Sequence, residues 1–274
     1  MDRLGLVAGS GRLPLDLADY CKNNGIKLFC VLIKPFANGA DYSDTTFMET
    51  SIGCLGRAMK FFKQNDVSNL VFAGGVKKPS LGFGLLKMDF SGFLLAKNIL
   101  KNKLLGDNTV LETVIGFLEK RGFKVLEIDS ILKDLKFEKG FNNKITCSGE
   151  YLEDMEIGCN VLKKLSEFDI GQSVVVQQKN ITGIECSEGT AGLIERTGQL
   201  KSKVGNRPVL VKIKKTNQTK KIDLPSIGPD TMEQLHNSGF AGIALDYKNC
   251  LVISREKTLE KATKYDLFVY GLDI

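Results

Sequence analysis

"LGLVAGSGRLPLDLAD", residues 4–19, decides how the first half of the chain is read. An apolar run of strand length stops at Gly9, and Gly9, Ser10 and Gly11 follow as a tight turn. Pro14 suits the first turn of a helix, where its missing N–H costs no hydrogen bond. The stretch predicts a buried strand, a glycine turn and a helix to about Asn23.

Working outward, the alternation continues. IKLFCVLI (26–33) reads as a second strand, 53–65 as a helix, and NLVFAGG (69–75) as a third strand ending in Gly74 and Gly75. Residues 107–121 form an amphipathic pattern with Asp107 as expected cap and Gly122 as stop, and KVLEID (124–129) reads as a further strand. Strand–helix–strand repetition of this kind implies a parallel sheet with helices on its faces. From 134 to 149 the rhythm is lost, which places a domain boundary near residue 135, giving domains 1–135 and 136–274.

The second half has another texture. After a helix over 150–167, SVVVQQKNITGIECSE (173–188) predicts a hairpin turning at Lys179-Asn180. RPVLVKIKK (207–215) predicts one more strand, and AGIALDYKNCLVISR (241–255) a further pair around Lys248-Asn249. The expected class is α/β, with a parallel-sheet N-terminal domain and a C-terminal α/β domain of α+β character.

Composition excludes several classes. No apolar run approaches the roughly 18 residues of a membrane span. The N-terminus carries an acid and lacks the apolar core of a signal peptide. Seven cysteines are scattered without a C-x-x-C pair, which predicts reduced thiols and a cytoplasmic protein. The net charge of +6 favours anionic partners, but the lysines are dispersed and not interleaved with aromatics, so no nucleic-acid partner is expected. With a single histidine, His236, a zinc site or a histidine-rich two-metal centre is disfavoured. P-loop and nucleophile-elbow motifs are absent from the sequence.

The candidate site residues lie at turns. In AGSGRLP (8–14) the glycines at 9 and 11 sit between strand and helix, a setting for cradling phosphate. Pro14 replaces the third glycine of a dinucleotide fingerprint, and no acid ends the second strand, which weakens an oxidoreductase reading. AGGVKKP (73–79) again puts glycines at a strand's carboxyl end, with Lys77 and Lys78 placed to meet an anion. In IECSEGTAGLIER (184–196), Glu188 and Thr190 flank a strand-to-helix turn, where they can serve a phosphate and its metal or simply cap the helix. Lys212 lies within the apolar run VLVKIKK; if it faces inward it requires an anion. In KKIDLPSIGPDTM (220–232), Asp230 is expected to cap the following helix, leaving Asp223 for chemistry.

These segments occur in the order found in the UDP-2,3-diacylglucosamine pyrophosphatases of lipid A biosynthesis, the type unrelated to calcineurin-like phosphoesterases. The chain resembles that family over nearly its whole length, most specifically in Gln172-x-Val174, in the EGT of 188–190 and in DLPSIG (223–228). The resemblance implies a Rossmann-like N-terminal domain, a C-terminal α/β domain and an acyl-sugar site between them. It implies Mg²⁺-dependent hydrolysis of UDP-2,3-diacylglucosamine to UMP and 2,3-diacylglucosamine 1-phosphate, by a cytoplasmic homodimer peripheral to the inner face of the inner membrane. On that basis Asp223 is the catalytic and metal-binding acid and Glu188 a second metal ligand. Gly9, Ser10, Gly11, Gly74, Gly75, Lys77, Gln172, Thr190 and Lys212 are the substrate-binding candidates, and FGLLKMDFSGFLL (83–95) supplies wall for the acyl chains. Where the family reads EGTD, this chain has Ala191. Either that position is no metal ligand, or Glu188 or Asp230 compensates; an inactivated nucleotide- or lipid-binding relative is the alternative reading.

Overall fold

The computed structural model describes residues 1–76, 88–101, 107–215, 221 and 224–274, with side chains omitted at 98–101 and 107–109. It divides into two compact units. The first spans Met1–Leu132 and includes Lys221, whose Nζ lies 2.6 Å from Glu119 Oε1; the second takes the remaining described residues from Lys133 onward.

In the first unit β1 (Arg3–Ala8) leads to α1 (Leu13–Asn23), then β2 (Lys27–Lys34), β3 (Thr46–Ser51), α2 (Leu55–Gln64), β4 (Asn69–Ala73), α3 (Phe90–Lys101), α4 (Asp107–Glu119) and β5 (Lys124–Val125). The sheet order is β3-β2-β1-β4-β5, with every pairing parallel. Cys30, Val31, Leu32 and Ile33 are all buried, so β2 reads as a continuous apolar run instead of an alternating one, as a strand covered on both faces must. The sequence pattern missed β3 because Thr46, Phe47 and Glu49 of this edge strand are exposed and it has no apolar run. KVLEID is a strand only at Lys124–Val125; Ile128–Ser130 turns into a short 3₁₀ helix. The capping role expected of the Asp107 side chain lies outside the described residues.

Asp89 ties two helix starts together. Its Oδ1 accepts from Gly92 N (2.8 Å) in the first turn of α3, and its Oδ2 from Arg57 N (2.9 Å) in the first turn of α2. One carboxylate thus satisfies donors that neither helix can satisfy internally.

The second unit runs β6 (Gly140–Phe141), α5 (Gly149–Ser166), β7 (Ser173–Gln177), β8 (Asn180–Ile184), α6 (Gly189–Leu200), β9 (Val209–Lys212), β10 (Ser226–Ile227), α7 (Pro229–Asn237), β11 (Gly242–Asp246), β12 (Leu251–Val252), α8 (Arg255–Lys264) and β13 (Phe268–Leu272). Its sheet order is β6-β13-β11-β9-β7-β8, parallel across β13, β11 and β9 and antiparallel at β9-β7, β7-β8 and β13-β6. One apolar cluster gathers Leu193, Met232, Leu235 and Ala262 from α6, α7 and α8; another gathers Met155 and Leu162 from α5.

The hairpin turns at Gln178-Lys179, one residue earlier than expected, with both residues at positive φ (52° and 65°). Buried Asp154 of α5 holds that turn by accepting from Gln178 N (3.0 Å) and Lys179 N (2.6 Å). The pair expected over 241–255 is not a hairpin. Asp246 accepts from Lys248 N and the Asn249 amide and coils the chain, so β12 leaves the sheet and pairs with β10 in a separate parallel ribbon.

Candidate functional site

In the first unit the carboxyl ends of β1 and β4 meet at their glycines. Gly9 N donates to Ala73 O (2.8 Å), Ser10 N to Gly75 O (2.8 Å), and Gly75 N to Ser10 O (2.9 Å). Three N–H groups that the sequence offered to a phosphate are therefore bonded to protein carbonyls. Glycine is required here: a Cβ on Gly9 would lie 2.5 Å from Gly75 O, and one on Gly74, at φ +88°, 2.5 Å from Ser10 O. Gly11 is exposed at φ +101°, and Lys77 lies outside the described residues.

What these turns border is a hollow. A cavity of about 500 Å³ lies between the sheet and α2, α3 and α4, with Gly9, Gly74 and Gly75 in its lining. Its walls are otherwise mainly apolar: Phe72 from the sheet, Met59 and Phe62 from α2, Leu95 from α3, Leu111 and Val114 from α4. At ~24 cal/mol per Å³, a sealed void of that size would cost on the order of 12 kcal/mol, as much as a domain's whole stability. Its volume lies within the span of ligand pockets, so the hollow is shaped for an apolar occupant. Of the segment expected to wall acyl chains, Met88, Gly92 and Leu95 do line it, while 83–87 lie outside the described residues.

In the second unit the polar groups converge where β8 and β9 end and β7 begins. The register opposes Ser173 and Lys212 directly. Lys212, only 2% exposed, donates from Nζ to Thr190 Oγ1 (2.7 Å) and to Ser173 Oγ (3.3 Å). Thr190 in turn donates to Glu185 Oε1 (3.1 Å). Two of the ammonium's three donors are thus held by neutral hydroxyls. Among the described residues no carboxylate lies within ion-pair distance of Nζ. A buried cation in that state is costly unless an anion joins it. Thr190 also belongs to the first turn of α6, where no side-chain cap is made, so the positive helix end faces the same neighbourhood.

Among the described residues, Glu185 Oε2 and Gln172 Oε1, the latter on the residue before Ser173, are buried without a hydrogen-bond partner. Such orphans are uncommon and suit donors on a ligand. Glu185 and Ser173 escaped the sequence reading, because the pairing of β7 with β9 opposes Ser173 to Lys212, and that of β8 with β7 sets Glu185 beside Ser173, where it bonds Thr190.

The remaining candidates stand apart. Glu188 is exposed and bonded to Arg196 (2.8 Å), a contact that holds its carboxyl below the usual range and keeps it ionised. Thr190 does not cap α6; Glu188 occupies the N-cap position. Nor does Asp230 cap α7, since Gly228 occupies that position and donates its N–H to Thr231 Oγ1 (3.4 Å). Asp223 lies outside the described residues; the rest of its motif, Leu224–Gly228, is anchored through β10 and by Leu251 N to Pro225 O (2.8 Å). Among the described residues no three acidic, thiol or imidazole side chains converge into a metal cage.

Comparison with known proteins matches this chain to two family models: the LpxI N-terminal domain over residues 3–135 and the LpxI C-terminal domain over 138–270. The chain is 29% identical to the UDP-2,3-diacylglucosamine pyrophosphatase LpxI of Caulobacter vibrioides, over all of this chain and 98% of that protein. A solved phosphoribosylglycinamide synthetase from Anaerococcus prevotii shares 15% identity at a TM-score of 0.23, over 74% of this chain and 43% of its own, a likeness too slight to carry an argument.

Proposed function

Both halves of the chain belong to the LpxI family, and from that premise we propose that it hydrolyses UDP-2,3-diacylglucosamine to UMP and 2,3-diacylglucosamine 1-phosphate. The observation that carries this reading is Lys212, a buried ammonium whose hydrogen-bond partners among the described residues are the Ser173 and Thr190 hydroxyls. A pyrophosphate supplies the missing anion, and charge that builds on phosphate oxygens as the anhydride breaks is met by the third Lys212 donor and the start of α6. Glu185 fixes the Thr190 hydroxyl as acceptor towards Lys212, since its own proton is committed to Oε1. The two orphan oxygens, on Glu185 and Gln172, accept from N–H or O–H groups of the sugar or uracil.

Apolar walls and volume suit the cavity of the first unit to an acyl chain, each buried methylene contributing ~0.8 kcal/mol. Gly9, Gly74 and Gly75 of the glycine turns border it, and Lys77 remains a substrate-binding candidate in this reading.

Asp223 is the acid that orients the attacking water. Mg²⁺ usually takes one or two carboxylates together with substrate phosphates, so a ready-made cage is not required of the protein. In this reading Asp223 and the pyrophosphate hold the ion, with Glu188 as the second acid. When bound, Mg²⁺ withdraws charge from the phosphates and acidifies a ligated water. The enzyme works as a homodimer at the cytoplasmic face of the inner membrane. Among the described residues no helix is long and apolar enough to cross a membrane, which accords with peripheral attachment.

The test is release of UMP from UDP-2,3-diacylglucosamine in detergent by the purified chain. Activity is expected with Mg²⁺, loss with EDTA, and a fall of about 10³-fold or more in Asp223→Ala at unchanged thermal midpoint. Absence of UMP from the wild-type chain overturns the reading in favour of a binding module, and a fully active Asp223→Ala overturns the role of that residue.

A further inference from the structure

Helix α3 is apolar on two sides. One side, with Gly92, Leu95 and Ala96, lines the cavity. On the other, Phe90 and Phe93 are 77% and 55% exposed, the first among the most exposed large hydrophobics of the described residues. They lie at i and i+3, and exposed Lys97 continues the same stripe at i+7. The neighbouring α2, joined to α3 through Asp89, presents exposed Arg57, Lys60 and Lys63. Neither helix contains an acidic residue between its first and last positions. Asp89, which directly precedes α3, has both oxygens engaged by backbone N–H groups.

We propose that the α2–α3 face is a membrane-docking surface, in which Phe90 and Phe93 enter the headgroup boundary of an anionic bilayer and the basic residues of α2, with Lys97, meet its phosphates. Aromatic residues beside a basic, acid-free face are the pattern of interfacial helices. Attraction to anionic lipid adds with each Lys or Arg near the surface. A second copy of the chain is a poorer occupant, since a two-fold contact would set this basic face against itself. The placement has a consequence for substrate entry: the helix that touches lipid on one side forms part of the cavity wall on the other, so an acyl chain enters the cavity from the bilayer beside α3. Only that consequence rests on the acyl-chain reading of the cavity; the docking surface does not.

The experiment uses the full chain with phosphatidylcholine vesicles, with and without phosphatidylglycerol. Wild type is expected to sediment with the anionic vesicles, and the double variant Phe90→Ser/Phe93→Ser to bind at least about tenfold more weakly. Phe168→Ser, which removes a comparably exposed phenylalanine from the second unit, is expected to bind as wild type. Since the chain has no tryptophan, Phe93→Trp places a single reporter on the face, and its emission is expected to shift to the blue with anionic vesicles. Equal binding by wild type and the double variant, an equal loss in Phe168→Ser, or an unshifted tryptophan overturns the proposal. So does a dimer that becomes monomeric in the double variant with vesicle binding intact, which would assign the face to a second copy. UMP release in detergent by the double variant, expected within about twofold of wild type, separates failure of docking from failure of the hydrolytic reading.

Discussion

The carboxyl edges of the two sheets are built from similar strand-to-helix turns and used in opposite ways. In the first unit, backbone groups at Gly9, Ser10 and Gly75 bond to one another, and what remains is a hollow of carbon. In the second, polar side chains gather by hydrogen bonds: Lys212 with Ser173 and Thr190, and Thr190 with Glu185. A strand edge is therefore no guide to ligand chemistry until its hydrogen bonds are accounted for. The turn that looks most like a phosphate cradle in sequence is closed on itself, and the less conspicuous EGT turn adjoins the buried cation. The substrate proposed above is likewise part hydrocarbon and part pyrophosphate.

The contrast breaks most severely at Lys212. Lys212→Met keeps the side chain's length and removes its charge, and kcat/KM for UMP release is expected to fall about 10²–10³-fold. Stability should hold or rise, because a charge buried without an ion-pair partner among the described residues is removed; the thermal midpoint checks that. An activity within twofold of wild type would detach the polar cluster from phosphate chemistry.

A smaller effect is expected in the hollow. Ala96→Phe places a ring among the lining residues, and displacing about two methylenes at ~0.8 kcal/mol each raises KM for the diacylated substrate roughly fifteenfold, with kcat little changed. Shorter acyl chains should lose less, and steady-state kinetics across a chain-length series reads this directly.

Asp154→Ala sharpens the comparison by touching neither region. It leaves the N–H groups of Gln178 and Lys179 without their acceptor, and a loss of about 3 kcal/mol in urea unfolding is expected, with turnover per folded molecule unchanged. A fall in specific activity would mean that the hairpin takes part in the site.

Much of this was legible in the chain because local patterns carried it. The β1 stretch and its glycine turn announced a parallel sheet, and the alternation around Lys212 required an anion if that residue faced inward. Glu185 was not legible: it reaches Lys212 only through Thr190, and that link depends on the pairing of β8 with β7 and of β7 with β9, which local sequence does not encode. The β11–β12 pair failed for a related reason. Two apolar runs around Lys248-Asn249 resemble a hairpin, but capture of the turn by the Asp246 carboxylate sends the second run elsewhere. The cavity had only a partial signature, since apolar residues that line a hollow read the same as those that fill a core.

The most direct test of the division between the two regions is the ratio of kcat/KM for diacylated over acyl-free UDP-glucosamine, measured in wild type, Lys212→Met and Ala96→Phe. The account predicts an unchanged ratio in Lys212→Met, where both substrates lose equally, and a ratio lowered roughly fifteenfold in Ala96→Phe, where only the acylated substrate suffers. A ratio that collapses in Lys212→Met, or stays at the wild-type value in Ala96→Phe, contradicts it.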